Sequence, residues 1–474
     1  MPNQSRVSLT PSKSTIMQNL CLFLVVVAVL LSSASSAYCN GSPDAGERTN
    51  DYPVAEPNMG EAVKTVENGV LYMAGPDNAR FPVVHVYGTP YEMGFAQGKL
   101  VGKELSEFVH GTFEYLAEEA SGALPDKFPH IPDFFKKVIV DKGIVFALQL
   151  TAELTAKFTP PEFFEELQGI ADAVPDVDYD LLLNLQMLPE LTKASCSFFG
   201  SWGAASKDGK TYHMRSLDYE TDGPFPNYPQ MTVYHPSAVG GTVQNAFANI
   251  GWPGAIGVLT GMNNQQMSIN EIGVSFPDDS FGQGTPNTPP EKLQGEPWMS
   301  VVRNILQHTT SLDDAVASVE AAERTCNLII GVGDGKVSDT TPMVNGIEYS
   351  GRVAVPYNDK NQLPVNGTWH PVLDSMVYNG MDWNCPAYTQ VLGEQLTKYR
   401  TQLEPSNVIG NILPTVQTGN LHIALYSLTD NNLHLSFCRR DSADTSEPHF
   451  AYERQFTGFD MDVIFAEPKP ASTA

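Results

Sequence analysis

The chain has 474 residues, with 28 Lys+Arg against 54 Asp+Glu and a formal net charge of −26. That length suits two ordinary domains or one large layered one, and the charge argues against partners such as nucleic acid or anionic membrane surfaces. The same balance suits an acidic compartment, where carboxylates protonate and self-repulsion falls.

Residues 1–37 read as a secretory signal peptide. Arg6 and Lys13 are the only charges before the apolar run Leu20 to Leu31, and small residues then lead to a cleavage point after Ala37. The run is shorter than the roughly 20 residues needed to cross a bilayer, and no later segment is long enough. Removing this leader leaves 26 basic against 54 acidic residues, a net of −28. It also leaves five cysteines: Cys39, Cys196, Cys326, Cys385 and Cys438. In an oxidising compartment an odd count leaves one unpaired. If that one is Cys196, the other four allow two disulfides in any of three connectivities. Asn40-Gly-Ser and Asn366-Gly-Thr are N-glycosylation acceptors.

In chain order, residues 38–81 read as a mobile N-terminal segment, polar and rich in Gly, Pro and Asn up to residue 65. Residues 82–88, "PVVHVYG", read as a buried strand. Thr89 and Pro90 then open a helix as N-cap and first helical residue. Gly94 and Gly98 lie four apart on one face of it, where glycine costs helix stability, so they mark a close backbone approach. Helices are expected over 134–154, 160–174 and 178–188. At Cys196 the pattern turns to strands, 196–206 and 211–217, joined by Lys207-Asp208-Gly209-Lys210 as an Asp-Gly hairpin turn. Further strands are expected over 230–236, 244–251, 255–261 and 266–276, followed by a Pro/Gly/Asp-rich loop. Helices over 297–309 and 311–323 follow, the second with Ser311 and Asp314 spaced as a capping box. A strand from Cys326, a helix over 387–403 and a hairpin turning around Thr429 to Asn432 complete the pattern. Helices, hairpin sheet, helices, sheet: this order fits two antiparallel sheets covered by helices better than alternating βαβ units. The useful division is a helical region, 82–195, and a sheet-bearing region, 196–474, with no clean break into independent domains.

Cys196 stands where helices give way to sheet. A thiol reacts as its thiolate, and a free thiol has a pKa near ~8.5, so it needs a base. The only histidine near it in sequence is His213, inside the returning strand. Cutting the chain just before Cys196 supplies another base, the new α-amino group, with a reference pKa of about 7.7–8.0. The thiol itself can make the cut by attacking the preceding carbonyl to form a thioester that water opens, and the small Ser195 leaves room for that step. The hairpin brings Arg215 and Asp218 back toward Cys196. An aspartate there accepts from the new ammonium; an arginine lowers the thiol pKa and grips a polar substrate group. The same pair also suits a surface ion pair. Strand alternation puts the two on opposite faces, so a bulge, with Trp202-Gly203 as its site, or a strand end at Asp218 is required. Asn270 is a candidate oxyanion donor, with a capping or turn role as its other reading. Phe198, Phe199, Trp202 and Tyr219 are candidates for an apolar pocket or for core.

The stretch "CSFFGSWGAASKDGKTYHMRSLD", residues 196–218, is similar to the start of the mature chain in N-terminal-nucleophile hydrolases of the acyl-CoA:6-aminopenicillanate acyltransferase type, peptidase family C45, which are related to the choloylglycine hydrolases and penicillin V acylases. The shared pattern is Cys-Ser/Thr, aromatic or aliphatic residues, Trp-Gly, an Asp-Gly turn and Arg-x-x-Asp. "VYGTPYEMGFAQG", residues 86–98, resembles that family's upstream segment, and "GMNNQQMSINEIGVS", residues 261–275, its Gly-x-Asn…Asn stretch. Ser195 departs from the glycine of the acyltransferase. A second asparagine and a late arginine are unassigned, "NGTWHP" at 366–371 being a loose match. The resemblance implies an α+β fold, an αββα sandwich with a helical N-terminal region. It also implies autocatalytic cutting into two chains that stay associated, and hydrolysis or acyl transfer at a linear amide C–N bond of a small N-acyl substrate. In that scheme Cys196 is nucleophile, Arg215 and Asp218 assist, Asn270 lines the oxyanion hole, and no cofactor or metal takes part. The leader implies a secreted or lysosomal/vacuolar protein. Two other readings stay open: an uncut thiol hydrolase pairing Cys196 with a distant His370 or His422, and a secreted glycoprotein of the same fold that binds without cutting.

Overall fold

The computed structural model describes residues 46–471 apart from 78, 121–130, 132, 239–240, 242, 274–291, 337–342, 362–369, 381–385 and 440–448. The leader, Cys39, Cys385, Asn40 and Asn366 lie outside the described residues.

Two sheets form the centre. The larger takes β1 (Lys64–Val66), β2 (Gly69–Ala74), β3 (Phe81–Gly88), β6 (Gln230–Pro236), β7 (Phe247–Gly251), β8 (Thr260–Asn263), β9 (Met267–Ile272), β10 (Asn327–Asp334), β11 (Val344–Ser350) and β12 (Ala354–Tyr357), in that spatial order. The smaller has the order β13-β4-β5-β14-β15-β16, from β4 (Ser195–Gly203), β5 (Gly209–Asp218), β13 (Met376–Asn379), β14 (His422–Ser427), β15 (Asn432–Phe437) and β16 (Thr457–Asp460). The helices are α1 (Pro90–Ala120), α2 (Asp133–Lys142), α3 (Ile144–Thr155), α4 (Pro161–Ala173), α5 (Tyr179–Thr192), α6 (Trp298–His308), α7 (Leu312–Ala321) and α8 (Pro386–Lys398).

Strand alternation sorts the side chains into layers. On β3, Val84 and Val86 pack with Met93 and Leu100 of α1 and with Trp298 and Val302 of α6. The preceding Val83 faces the other way, toward Ala424, Tyr426 and Leu435 of the smaller sheet. On that sheet's far face, Phe199, Met214 and Leu425 pack with Leu392 and Leu396 of α8 and with the helical segment at 405–416. The result is helix, sheet, sheet, helix, an α+β architecture. Each fully buried Leu, Val or Phe in these layers contributes about 1.5–3 kcal/mol of transfer free energy.

Local signals account for the helix placements. Thr89 and Glu92 form a reciprocal capping box, with Glu92 Oε2 accepting from Thr89 N–H at 2.8 Å and Thr89 Oγ1 from Glu92 N–H at 3.3 Å. A Cβ on Gly94 would lie 2.0 Å from Glu166 O, and one on Gly98 2.6 Å from Ala173 Cβ, so α1 lies backbone-close on α4. Gly143, with φ 91°, divides the single helix expected over 134–154 into α2 and α3.

Three expectations need correction. Residues 64–74, read as mobile, form β1 and β2 at the edge of the larger sheet, and Asn50 N–H donates to Gly410 O at 2.9 Å. Asn68, at φ 62°, makes the tight turn that joins the two strands. The sheets are not wholly antiparallel, because β3 pairs with β6 in parallel. The connection from β4 to β5 runs from Gly203 to Gly209 and is longer than a two-residue Asp-Gly turn.

Candidate active site

Cys196 is the second residue of β4 and enters that strand from α5 through Lys193 and Ala194. The β4–β5 ladder is regular from Ser195↔Asp218 to Ser201↔Tyr212, and its irregularity falls between Ser201 and Gly203. Cys196, Phe198 and Gly200 therefore share one face with their partners Leu217, Arg215 and His213, while Asp218 turns to the other face. The bulge forms where the sequence suggested, but beyond Arg215, so it does not bring Arg215 and Asp218 to one side. They flank the Ser195–Cys196 link from opposite faces, Asp218 as the cross-strand partner of Ser195.

Asp218 is firmly held. Its Oδ1 accepts from Gly419 N–H at 2.8 Å and Asn420 N–H at 2.9 Å, and its Oδ2 from Thr418 Oγ1 at 2.7 Å. Thr418 also bonds Ser197 Oγ at 2.9 Å and Ser216 Oγ at 2.7 Å, lacing the β4 and β5 ends together. Burial pushes the Asp218 carboxyl up, and these hydrogen bonds and Arg215 draw it back.

On the other face, Cys196, Arg215 and Glu271 are all fully buried. Glu271 Oε2 lies 4.0 Å from Cys196 Sγ and 3.5 Å from Arg215 Nη2. Arg215 Nε and Nη1 and Glu271 Oε1 are buried without a hydrogen-bond partner. Leaving such atoms unsatisfied costs about 1–3 kcal/mol each, more for charged groups, so a cluster of three beside a thiol marks a place built to receive polar atoms. Burial pushes the thiol pKa far up; Arg215 draws it down, while Glu271 and Asp218 push it further. Burial raises the Glu271 carboxyl to about 7 against the opposing pull of Arg215 and Lys193.

Glu271 is the residue that the sequence reading missed; it singled out the neighbouring Asn270. The Asn270 amide is committed elsewhere: Nδ2 donates to His213 Nε2 at 2.6 Å, and Oδ1 accepts from Gly331 N–H at 2.8 Å. His213 stands opposite Gly200, four residues along β4 from Cys196. Through these bonds Asn270 braces a histidine that burial keeps neutral, with its pKa lowered to about 3. A lone acid in the strand "MSINEI" was the available signal, since Glu is rarely fully buried unless paired.

Neither distant histidine partners the thiol. His422 stands opposite Leu217, two strands and so about 10 Å from β4, with Nε2 on Thr260 Oγ1 at 2.9 Å. His370 Nε2 bonds Tyr378 O at 3.1 Å. Cys326 and Cys438 are both buried, and no disulfide is found among the described residues.

An apolar cavity of about 50 Å³ lies near the start of β4 and the end of β5. Ala194 and Leu217, the second residue before Cys196 and its cross-strand partner, form part of its wall, with Leu185, Leu188, Phe225 and Trp252. Of the four aromatic candidates only Tyr219 reaches it. Phe198, Phe199 and Trp202 are core. Among the described residues no helix is long and apolar enough to cross a membrane.

No family model matches the chain. Protein dcd1A of Dictyostelium discoideum is 30% identical over 458 residues, 94% of this chain and 99% of dcd1A. Protein dcd1B of the same organism is 29% identical over 420 residues, 86% of this chain and 79% of dcd1B. Among solved structures, the Caenorhabditis elegans ortholog of N-acylethanolamine-hydrolyzing acid amidase is 15% identical and covers 56% of this chain and 99% of its own, at a TM-score of 0.35.

Proposed function

This chain belongs to the family of Dictyostelium discoideum protein dcd1A, and from its site we propose that it is an autoprocessed N-terminal-nucleophile hydrolase that cleaves linear amide C–N bonds through Cys196. The observation that carries this reading is the buried constellation at the Ser195–Cys196 link: a thiol with Arg215 and Glu271 on one side, and a tethered carboxylate, Asp218, opposite Ser195. The helix–sheet–sheet–helix layering agrees with it.

In the uncut chain the thiol attacks the Ser195 carbonyl carbon. A C–S bond forms, the C–N bond to Cys196 breaks, and the proton passes to the departing nitrogen. Water then opens the thioester and leaves a carboxylate on Ser195 and a free amine on Cys196. In this scheme Asp218, the cross-strand partner of Ser195, accepts from that amine and fixes its direction. The amine serves as base for the next round, in which the thiol attacks a substrate amide, the amine product leaves, and water releases the acid. The unpartnered Nε and Nη1 of Arg215 suit a polar group of the substrate, and the apolar cavity beside Leu217 suits its acyl part. Transfer to an acceptor other than water follows the same thioester. The leader implies a secreted or lysosomal/vacuolar location.

The test is denaturing electrophoresis with N-terminal sequencing, and turnover of a small N-acyl amide library. The proposal expects two fragments, the second beginning at Cys196, and release of free acid. Cys196→Ala is expected to lose both. An intact chain that still hydrolyses the amides would overturn it.

A further inference from the structure

The chain just upstream of the cut is anchored in an unusual way. Lys193 has φ 37°, a left-handed conformation seldom adopted by a long side chain. Its N–H donates to Pro189 O at 3.3 Å, in the last turn of α5. The next carbonyl, Ala194 O, accepts from Gly273 N–H at 2.9 Å, just past the end of β9. A Cβ on Gly273 would lie 2.2 Å from Ala194 O and 2.7 Å from Lys193 Cβ, so only glycine allows this approach. The lysine side chain runs inward: the residue is 3% exposed, and Nζ donates to Asn327 O of β10 at 3.1 Å. Burying an ammonium is costly, and a solvent-facing lysine would carry no such cost.

These contacts tie the two residues before Ser195 to the ends of β9 and β10, while Cys196 and Asp218 are fixed by β4 and β5. Lys193 and Ala194 are thus held by the larger sheet, whereas Ser195 and Cys196 lie in β4 of the smaller one, so the chain passes from one sheet to the other just before the scissile link. We propose that Lys193 is a positioning residue for self-cutting, its buried ammonium and left-handed backbone holding the Ser195 carbonyl in place for the Cys196 thiol. The proposal rests on the autoprocessing reading. A non-glycine residue at positive φ is strained, and a severed chain end is free to release that strain. The ammonium also opposes the burial-driven rise of the Glu271 carboxyl. The other groups facing that carboxyl are Arg215 from β5 and the Cys196 thiol from β4. Departure of the cut end removes that cation and strengthens proton uptake by Glu271.

The test follows the rate at which the fragment beginning at Cys196 appears, from mildly acidic to neutral pH, in the full chain and its K193M and K193R variants. K193M is expected to cut about tenfold more slowly, equivalent to ~1.4 kcal/mol of barrier, with its pH profile displaced. K193R, which keeps the cation, is expected to recover most of the rate. Wild-type rate and profile in K193M would overturn the inference while leaving autoprocessing intact, whereas an uncut wild-type chain would remove both. Thermal unfolding of each variant in a C196A background reports folding. If K193M does not fold, G273A disturbs the same anchor from β9, and an unchanged cutting rate there overturns the inference.

Discussion

The residue that sets the chemistry apart is Glu271. Ionised, it places a negative charge 4.0 Å from the thiol and occupies Arg215. Protonated, it releases the Arg215 charge to favour the thiolate and the developing oxyanion. With its carboxyl raised to about 7, self-cutting is expected to speed up as pH falls through that value. Glu271→Gln is expected to flatten this step; a pH profile of cutting unchanged by the substitution would contradict the role. The same shift has a stability consequence. An unfolded glutamate titrates near ~4.3, so between that value and about 7 the folded chain holds a proton that the unfolded chain has lost. This contribution is fully present below the unfolded value and is lost as pH rises through about 7. Denaturant titrations of the uncut Cys196→Ala chain should show a loss on the order of 1–3 kcal/mol over that window. Adding Glu271→Gln should remove it.

The return of Arg215 and Asp218 to the neighbourhood of Cys196 was legible at this scale because a hairpin register is a local property. Asn270 and Glu271 were not separable, because choosing between neighbours on β9 depends on how one sheet lies over the other. Two strands far apart in sequence, β5 and β9, meet there, and no spacing rule reaches across them.

At the scale of elements, the legible features had backbone causes. The glycine pair Gly94 and Gly98 announced the α1–α4 contact, and the Thr89 cap announced where α1 begins. Gly94→Ala tests the first. In an open helix that change adds stability, but here the new Cβ meets Glu166 O at 2.0 Å. The expected outcome is a net loss of about 2 kcal/mol in denaturant titration; a gain would contradict the close packing. Among the elements missed were β1, β2 and the strands of residues 344–379. These are short, and their pairing to β3, β10 and β4 supplies the order that their own sequences do not. The bulge at Trp202 was anticipated, but its reach was not: a bulge re-aims residues on its own side of the ladder, and Arg215 and Asp218 both lie past it.

At the scale of the molecule, the proposed cut at Ser195–Cys196 would divide one sheet between two fragments. The upstream piece supplies β1 to β3 and the downstream piece β6 to β12 of the larger sheet, joined by the parallel β3–β6 ladder from Val83↔Met231 to Gly88↔Pro236. The helical layer is shared as well, since α1 and α6 bury the same face of that sheet. The cut protein should therefore migrate as one species in native size exclusion and separate only in denaturant; separation in dilute buffer would contradict the layered fold. The excess of acidic residues fits work at low pH, where the Glu271 argument also points. The most direct measurement is intact mass and N-terminal sequencing of the purified wild-type chain held at mildly acidic pH, beside Cys196→Ala. The account predicts a wild-type fragment that begins at Cys196 and none from the variant. A wild-type chain whose 195–196 bond stays whole, or a variant that is cut at the same bond, would contradict it.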